Sequence, residues 1–284
     1  ITKTLVETLS DGAVLSFGLE SADPSVHEAN WLNCDSTQLK SAIALINKYG
    51  RQRGERGLPK LLPGLNFIAG LNGETSQTYD LNLNLLREIK QDGQLIRRVN
   101  IRQVEGTGFQ EIDDDDFRSF KNSVREEFDG PLLEEMLPNG TILNDVWWEA
   151  HDGRTRLPRH LEPEAKDSAI HGKAGITFGR QIGAYPILVG MNYLAPLESY
   201  SQIMVIGHGA RSITGIETGL DWNTVSEKQL AAIPGISAKG AWNLIGTRAK
   251  SRSKKRPLDS IEDWFNSAGV NIPELIDFER ILKD

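Results

Sequence analysis

Hydrophobic and polar positions follow two different periods along the first half of the chain. Apolar runs at Ala13–Phe17 and Leu62–Ala69 predict buried strands, and the segment LIRRVNIRQV predicts a third. Between the first two, TQLKSAIALINKYG repeats apolar residues at helical spacing, with Leu39, Ile43 and Ile46 on one face. Strands that alternate with helices are typical of parallel β/α units, so residues 1–136 are predicted to form three such repeats.

The pattern changes after this region. Asp113–Asp116 precedes an apolar period that predicts a helix from Phe117 to Met136, and we interpret the acidic run as a solvated helix start, with metal binding as the alternative. Residues 138–217 show short alternating runs interrupted by glycines, which predict a small β-barrel. Within them, the charged and Pro-rich segment 154–173 predicts a long surface loop. The rest of the chain predicts helices, two of which flank PGIS.

The predicted fold therefore combines an α/β domain with small all-β and all-α domains. We place the α/β domain at 1–136, the β domain at 137–217 and the helical tail at 218–284. Three β/α repeats leave strand edges open, and open edges are usually covered. We therefore expect either the β domain or a second copy of the chain, in a homodimer, to cover them.

Composition excludes several classes of protein. Hydrophobic residues make up 39% and charged residues 25%, and no apolar run approaches the ~20 residues that span a bilayer, so neither a membrane protein nor a disordered chain is expected. The formal charge of −7 argues against a wholly nucleic-acid-coating surface but allows a local basic face. A single cysteine, Cys34, rules out a disulfide framework and a thiolate-held cluster and favours the cytoplasm. The histidines lack zinc-like spacing, so no metal site and no catalytic residue is assigned.

Polar residues and glycines follow the ends of the predicted strands. Glu20 and Ser21 come after the first strand, a glycine turn follows the second, and Asn100 and Arg102 belong to the third. Ligands of parallel β/α folds bind at the carboxyl ends of strands, so these three positions are expected to line one rim. The alternative is that the glycines serve chain reversal alone.

The segments GLES, GLNFIAGLNGET and RRVNIRQV together resemble the second half of the radical S-adenosylmethionine (SAM) barrel. They are most similar to an archaeal group in which this TIM-like barrel is followed by a small β domain and a helix-hairpin-helix tail. The resemblance implies SAM and a 4Fe–4S cluster as cofactors of the full-length protein. Its three-cysteine loop is absent here, so this chain alone is expected to be inactive. The cofactor contacts that the resemblance implies are Glu20, Ser21, Asn66, Ile68, Gly70, Gly73, Glu74, Asn100 and Arg102.

The β region resembles the TRAM-type or OB-like barrels attached to RNA-modifying radical enzymes. The resemblance implies RNA or DNA as a partner, with aromatic side chains for stacking and cations for phosphates. Arg180 and Arg211, both beside glycine turns, are the favoured contacts. The others are Trp147, Trp148, Phe178, Tyr185 and His208, although Phe178 and one tryptophan are predicted to belong to the barrel core.

The segment IPGISAKGAW resembles the turn of a helix-hairpin-helix motif, which presents backbone N–H groups to a nucleic-acid phosphate. Gly235 occupies the position of the first glycine, but Ser237 replaces the second, which weakens close approach. The basic run KSRSKKR follows, either as a phosphate-contacting edge or as a solvated loop. The predicted contacts here are Gly235, Ser237, Lys239, Lys250, Arg252, Lys254, Lys255 and Arg256.

Two functions remain open from the sequence. The first is the C-terminal part of a radical SAM iron–sulfur enzyme, which cleaves SAM reductively and acts on an unknown substrate. Nucleic acid is one candidate for this substrate. The second is a nucleic-acid-binding protein without chemistry of its own, in which the tail and the barrel bind and the α/β part is a scaffold.

Overall fold

The structure is a computed structural model and describes residues 1–104, 106, 113–151, 175–209, 211–254, 258–274 and 277–283. The chain divides into two compact units. One comprises Ile1–Pro138 with Gly183–Pro186, and the other Asn139–Ile182 with Ile187–Asp284. The predicted surface loop at 154–173, the residues Lys255 and Arg256, and the side chain of Lys254 lie outside the described part.

The first unit alternates strands and helices as the hydrophobic periods predict. Its strands are β1 (Ala13–Glu20), β2 (Leu61–Ala69) and β3 (Arg98–Gln103). Its helices are α1 (Thr2–Thr8), α2 (Pro24–Asn30), α3 (Ser36–Gly50), α4 (Ser76–Gln91), α5 (Asp114–Val124) and α6 (Gly130–Met136), with a π-helical turn at Arg125–Asp129.

The three strands form one parallel sheet with β2 in the middle. Leu65, Phe67 and Val99 point to one face and are buried, and the Phe67 ring meets the Phe120 ring of α5 edge-on at 6.0 Å. On α3, the predicted apolar face is confirmed, because Leu39, Ile43 and Ile46 are all buried. This side of the sheet holds the core of the unit.

Side-chain caps fix where several helices begin. Asp23 accepts a hydrogen bond from Ser25 N at 2.9 Å and starts α2, as its position before Pro24 predicts. Asp113 accepts from the amides of Asp115 and Asp116, so the acidic run is a helix start. The single helix predicted to Met136 is interrupted by the π-helical turn just before Pro131, whose nitrogen cannot donate a backbone hydrogen bond.

The second unit contains a closed five-stranded barrel, which confirms the predicted small β-barrel. Its strands are β4 (Ile142–His151), β5 (Thr177–Gln181), β6 (Leu188–Met191), β7 (Tyr200–His208) and β8 (Ser212–Glu217), in the order β4-β5-β6-β8-β7. Alternate residues of β4 and β5 point inward, and Trp148 is fully buried, with its indole N–H donating to Ser201 Oγ at 2.9 Å.

The tail of this unit packs helices around two aromatic rings. It consists of β9 (Leu220–Asp221), α7 (Glu227–Ala232), α8 (Ala238–Lys254), α9 (Ile261–Ala268), α10 (Phe278–Ile281) and β10 (Leu282–Lys283), with β9 and β10 paired. Trp264 and Phe265 of α9 are fully buried and meet edge-on at 5.7 Å. Among the described residues, no helix combines the length and apolar character that crossing a bilayer requires.

Candidate functional site

The face of the sheet opposite the core carries polar residues. The register aligns Gly18 with Asn66 and Asn100, and places Ile68 beside Arg102 one step nearer the carboxyl ends. Because side chains alternate along strands, these five residues share one face. Gly18 and Arg102 are exposed and the other three are half-buried. The sheet therefore offers an open polar surface at the ends of its strands.

Two asparagines on this face form a pair. Asn100 Nδ2 donates to Asn66 Oδ1 over 2.9 Å. This bond uses one polar atom of each amide, so Nδ2 of Asn66 remains as a donor and Oδ1 of Asn100 remains as an acceptor. This combination matches the edge of an adenine base, which asparagine side chains read through one donor and one acceptor. Ile68, on the same face, supplies an apolar surface beside the pair.

Glu20 completes this surface from the neighbouring strand. Its backbone has a left-handed φ of 65°, which a glutamate rarely adopts, and a Cβ at Gly18 would collide with Glu20 Oε1. The carboxylate thus lies over Gly18, in the row that contains the asparagine pair. Glu20 Oε2 is buried without a hydrogen-bond partner. Burial raises the pKa of Glu20 above its ordinary 4.5, and the charge of Arg102 opposes that shift.

The loops behind these strand ends are held by a buried hydrogen-bond network. Asn82 Oδ1 accepts from Ala22 N at 2.6 Å, and Thr78 Oγ1 donates to Asp23 Oδ2 at 2.6 Å. Ser21 is 1% exposed, and its Oγ accepts from Asp23 N at 3.1 Å. The network joins the β1 loop to the start of α4, across about 60 residues of sequence.

Glu74 anchors the glycine turn in the same buried layer. Its Oε2 accepts from Gly70 N at 2.9 Å and its Oε1 accepts from Tyr79 OH at 2.5 Å. Burial, with the hydrogen bond to Glu74, raises the pKa of Tyr79 well above its usual range. Gly70 and Gly73 both have left-handed φ angles, 91° and 81°, and a Cβ at Gly73 would approach Ser25 O to 3.2 Å. The turn is thus shaped by packing as well as by chain reversal.

The structure divides the nine cofactor contacts implied by the resemblance into two groups. Five lie on the open face, namely Glu20, Asn66, Ile68, Asn100 and Arg102. The other four shape the buried loops behind it, namely Ser21, Gly70, Gly73 and Glu74. Thr78 and Asn82 belong to this buried layer too, and the sequence interpretation missed them. The available signal was their i, i+4 spacing on the face of α4 that turns inward.

The candidate stacking residues of the barrel lie in different places. Trp147 points outward and its ring lies 4.7 Å from that of Tyr200, whereas Trp148 belongs to the core, as predicted for one tryptophan. The core prediction for Phe178 was wrong. Phe178 is half-buried on the outer side of β5 with Arg180, because Thr177, Gly179 and Gln181 take the inward positions.

Two cations and two ring-bearing residues remain among the barrel candidates. Arg180 faces Glu149 at 3.8 Å, which is a loose ion pair. Arg211 is exposed and His208 is half-buried. Tyr185 belongs to the first unit, where the guanidinium groups of Arg97 and Arg98 lie 5.0 and 5.2 Å from its ring. Its ring is therefore already paired with two cations.

The hairpin of the tail lies between α7 and α8. Gly235 has a φ of 90°, which favours glycine, and Ser237 Oγ accepts from Gly240 N at 3.0 Å and so caps α8. Lys239 and Lys250 are exposed on α8. Arg252 is exposed and donates to Asn223 O at 2.7 Å. The serine that replaces the second glycine thus has a structural role at the helix start.

Comparisons with known proteins give relatives but no family. The sequence matches no family model. It is 37% identical over 245 residues to an uncharacterized protein of Archaeoglobus fulgidus, a match that covers 83% of this chain and 42% of the relative. It is 36% identical over 226 residues to an uncharacterized protein of Methanocaldococcus jannaschii, covering 76% of this chain and 38% of the relative. The chain thus spans about two fifths of the length of these curated relatives.

Proposed function

We propose that this chain is the C-terminal part of a radical SAM iron–sulfur enzyme and that its α/β unit holds the adenosyl part of SAM. The observation that carries the proposal is the gathering of Glu20, Asn66, Asn100 and Arg102 on one face at the carboxyl ends of three parallel strands. In this assignment the sheet is the second half of a TIM-like barrel. Other parts of the full-length enzyme hold the 4Fe–4S cluster.

The residues on the open face fit an adenosyl group. The Glu20 carboxylate, whose Oε1 lies over Gly18 on this face, is suited to accept hydrogen bonds from ribose hydroxyls. The asparagine pair offers a donor and an acceptor to the adenine edge, while Ile68 packs on the ring. The charge of Arg102 acts on Glu20, and its guanidinium is suited to pair with a carboxylate.

The cluster does not fit this chain. Cys34 is the single cysteine, and no group of three or more potential metal ligands occurs among the described residues. Together with the cluster, bound SAM supplies the means to abstract a hydrogen atom from an unreactive position of a substrate. The residues of this chain bind and orient the nucleoside.

The first test uses the full reading frame, reconstituted anaerobically with iron and sulfide, and measures SAM binding and release of 5′-deoxyadenosine. Glu20→Gln is expected to weaken SAM binding about tenfold, because the amide accepts fewer hydrogen bonds from ribose hydroxyls. Glu28→Gln, the same change at an exposed position of α2, is the matched control and is expected to bind normally.

The same variant separates binding from stability. Because burial raises the pKa of Glu20, ionised Glu20 disfavours the folded state, and this penalty develops as pH rises above the unfolded value near 4.5. Glu20→Gln is therefore expected to be more stable than the native chain at pH 7 and equally stable at pH below about 4.5. Weaker binding by a more stable variant cannot arise from unfolding. Equal SAM binding by both Gln variants contradicts the assignment of Glu20, and a reconstituted protein without a cluster contradicts the enzyme class.

We also propose that the tail binds nucleic acid, as a helix-hairpin-helix module would. The observation in favour is the charge of α8, which contains Lys239, Arg248, Lys250, Arg252 and Lys254 but no acidic residue, in a chain of net charge −7. A basic surface restricted to one element is the electrostatic footprint of a phosphate-binding site. The substrate of the full-length enzyme would then be, or be carried on, a nucleic acid.

The charge of α8 predicts a salt-dependent affinity. Replacing Lys239 and Lys250 together by alanine is expected to weaken binding of RNA or DNA and to lower the slope of log K against log salt by about two, since each phosphate contact contributes about one. The measurement is fluorescence anisotropy with a labelled strand over a range of salt. Lys48→Ala, at an exposed position of α3, is the matched control and should leave the slope unchanged. No binding by the native chain at low salt, or equal slopes in all variants, excludes this role of α8.

A further inference from the structure

An exposed tryptophan lies on the outer side of α8. Trp242 is 64% exposed, whereas Ala241 and Leu244 on the other side of the helix are fully buried. With about 100° between successive residues, Lys239 and Lys250 lie within about 80° of Trp242 around the helix axis. A large aromatic side chain on the solvent side of a helix does not contribute to the core, so the Trp242 ring is accessible to a ligand.

Gly246 leaves the indole uncovered. It follows Trp242 by one helical turn, and a Cβ at Gly246 would meet no atom within 4 Å. Side chains on a helix lean towards its N-terminus, so a larger residue at 246 would lie over the Trp242 ring. Glycine inside a helix lowers its stability, and here it leaves open space one helical turn after an aromatic residue.

Along the helix axis, one lysine lies before this space and one lies after it. Lys239 precedes Trp242 and Lys250 follows Gly246, about 16 Å apart along the helix axis at 1.5 Å per residue. Both are exposed, and neither forms an ion pair within the described part of the chain. A flat aromatic ring between two free cations is complementary to a nucleic-acid strand, in which a base lies between two phosphates.

We infer that α8 binds an unpaired nucleotide, with the Trp242 indole stacked on its base and Lys239 and Lys250 on the flanking phosphates. Within an intact duplex the faces of the bases are covered by their neighbours, so the indole cannot stack there. Single-stranded segments and loops expose these faces. The inference rests on the proposed binding of nucleic acid by the tail, adds a preference for unpaired strands, and does not depend on SAM chemistry.

The test compares the affinity of the full chain for a labelled single strand and for a long blunt duplex of the same sequence at low salt. Trp242→Ala is expected to weaken single-strand binding about tenfold, within the range measured for one stacked base, and to change duplex binding less than twofold. Trp242→Phe should retain most of the affinity because its ring still stacks. Trp31→Ala removes another exposed tryptophan, 88% exposed at the end of α2, and should have no effect.

A second variant excludes loss of folding as the cause. Gly246→Leu is expected to raise the thermal stability of α8, because leucine is a better helix former, and still to weaken single-strand binding several-fold by covering the indole. The inference is overturned if Trp242→Ala binds single strands as the native chain does, or if its affinities for the single strand and the duplex fall equally. Nucleic-acid binding by the tail stands in both cases. If the native chain binds neither ligand, both are overturned.

Discussion

Replacing Glu74 by alanine is expected to lower the free energy of unfolding of the α/β unit by about 3 kcal/mol. Glu74 is 4% exposed, and its two carboxylate oxygens accept hydrogen bonds from Gly70 N and Tyr79 OH. Alanine leaves both donors buried without this acceptor and removes the group that fixes the turn after β2. The measurement is native-state hydrogen exchange of the amides in β2 and α4, which reports the stability of this unit separately from the other.

Tyr79→Phe is the partial control, because it removes one donor and keeps the bond to Gly70 N. It is expected to lower the free energy of unfolding by about 1 kcal/mol, clearly less than Glu74→Ala.

The resemblance to radical SAM proteins implies instead that Glu74 contacts the cofactor. If Glu74→Ala weakens SAM binding by the full-length protein but leaves hydrogen exchange unchanged, Glu74 is a ligand contact and the structural role is wrong. A change in both indicates that Glu74 acts by positioning the strand end.

The elements of the fold follow from local signals in the sequence. Asp23 and Asp113 mark helix starts by side-chain chemistry that acts over two or three residues, and the apolar period of α3 reaches the core as it predicts. The π-helical turn before Pro131 was not predicted, because it depends on how one helix accommodates a residue without an N–H. Phe178 was predicted to lie in the core because alternate aromatic residues of a barrel usually do, whereas the observed alternation along β5 puts it outside.

The location of the candidate site could be predicted from the sequence, but which of its residues face the open surface and which hold the loops could not. Sequence order places Glu20, Gly70 and Asn100 at three strand ends, but only the register shows that Asn66 and Asn100 are paired across strands. The contacts of Asn82 with the β1 loop join residues about 60 positions apart, and no local pattern indicates them. Trp242 was missed for a different reason, since an aromatic residue in a helical segment is usually a core residue and its exposure depends on how α8 packs.

Trp264→Ala is expected to have the largest effect on the second unit, a loss of about 4 kcal/mol in the stability of the tail. Trp264 is fully buried, its indole N–H donates to Leu244 O at 2.8 Å, and its ring lies 5.6 Å from Trp222 and 5.7 Å from Phe265. The Arg248 guanidinium lies 5.4 Å from the same ring and donates to Trp222 O and Val225 O. Alanine would leave a large cavity between α8 and α9 and remove the aromatic partner of a partly buried cation.

Hydrogen exchange of the α8 amides measures this loss, and Trp264→Phe, which keeps most of the ring volume but not the indole N–H, should cost about half as much. The comparison with Trp242→Ala distinguishes the two sides of α8. Loss of the buried tryptophan should lower exchange protection and weaken nucleic-acid binding together, because the helix that carries Lys239 and Lys250 is held less firmly. Loss of the exposed one should weaken single-strand binding while protection remains. A Trp264→Ala variant protected to within about 1 kcal/mol of the native chain would show that α8 does not depend on this core.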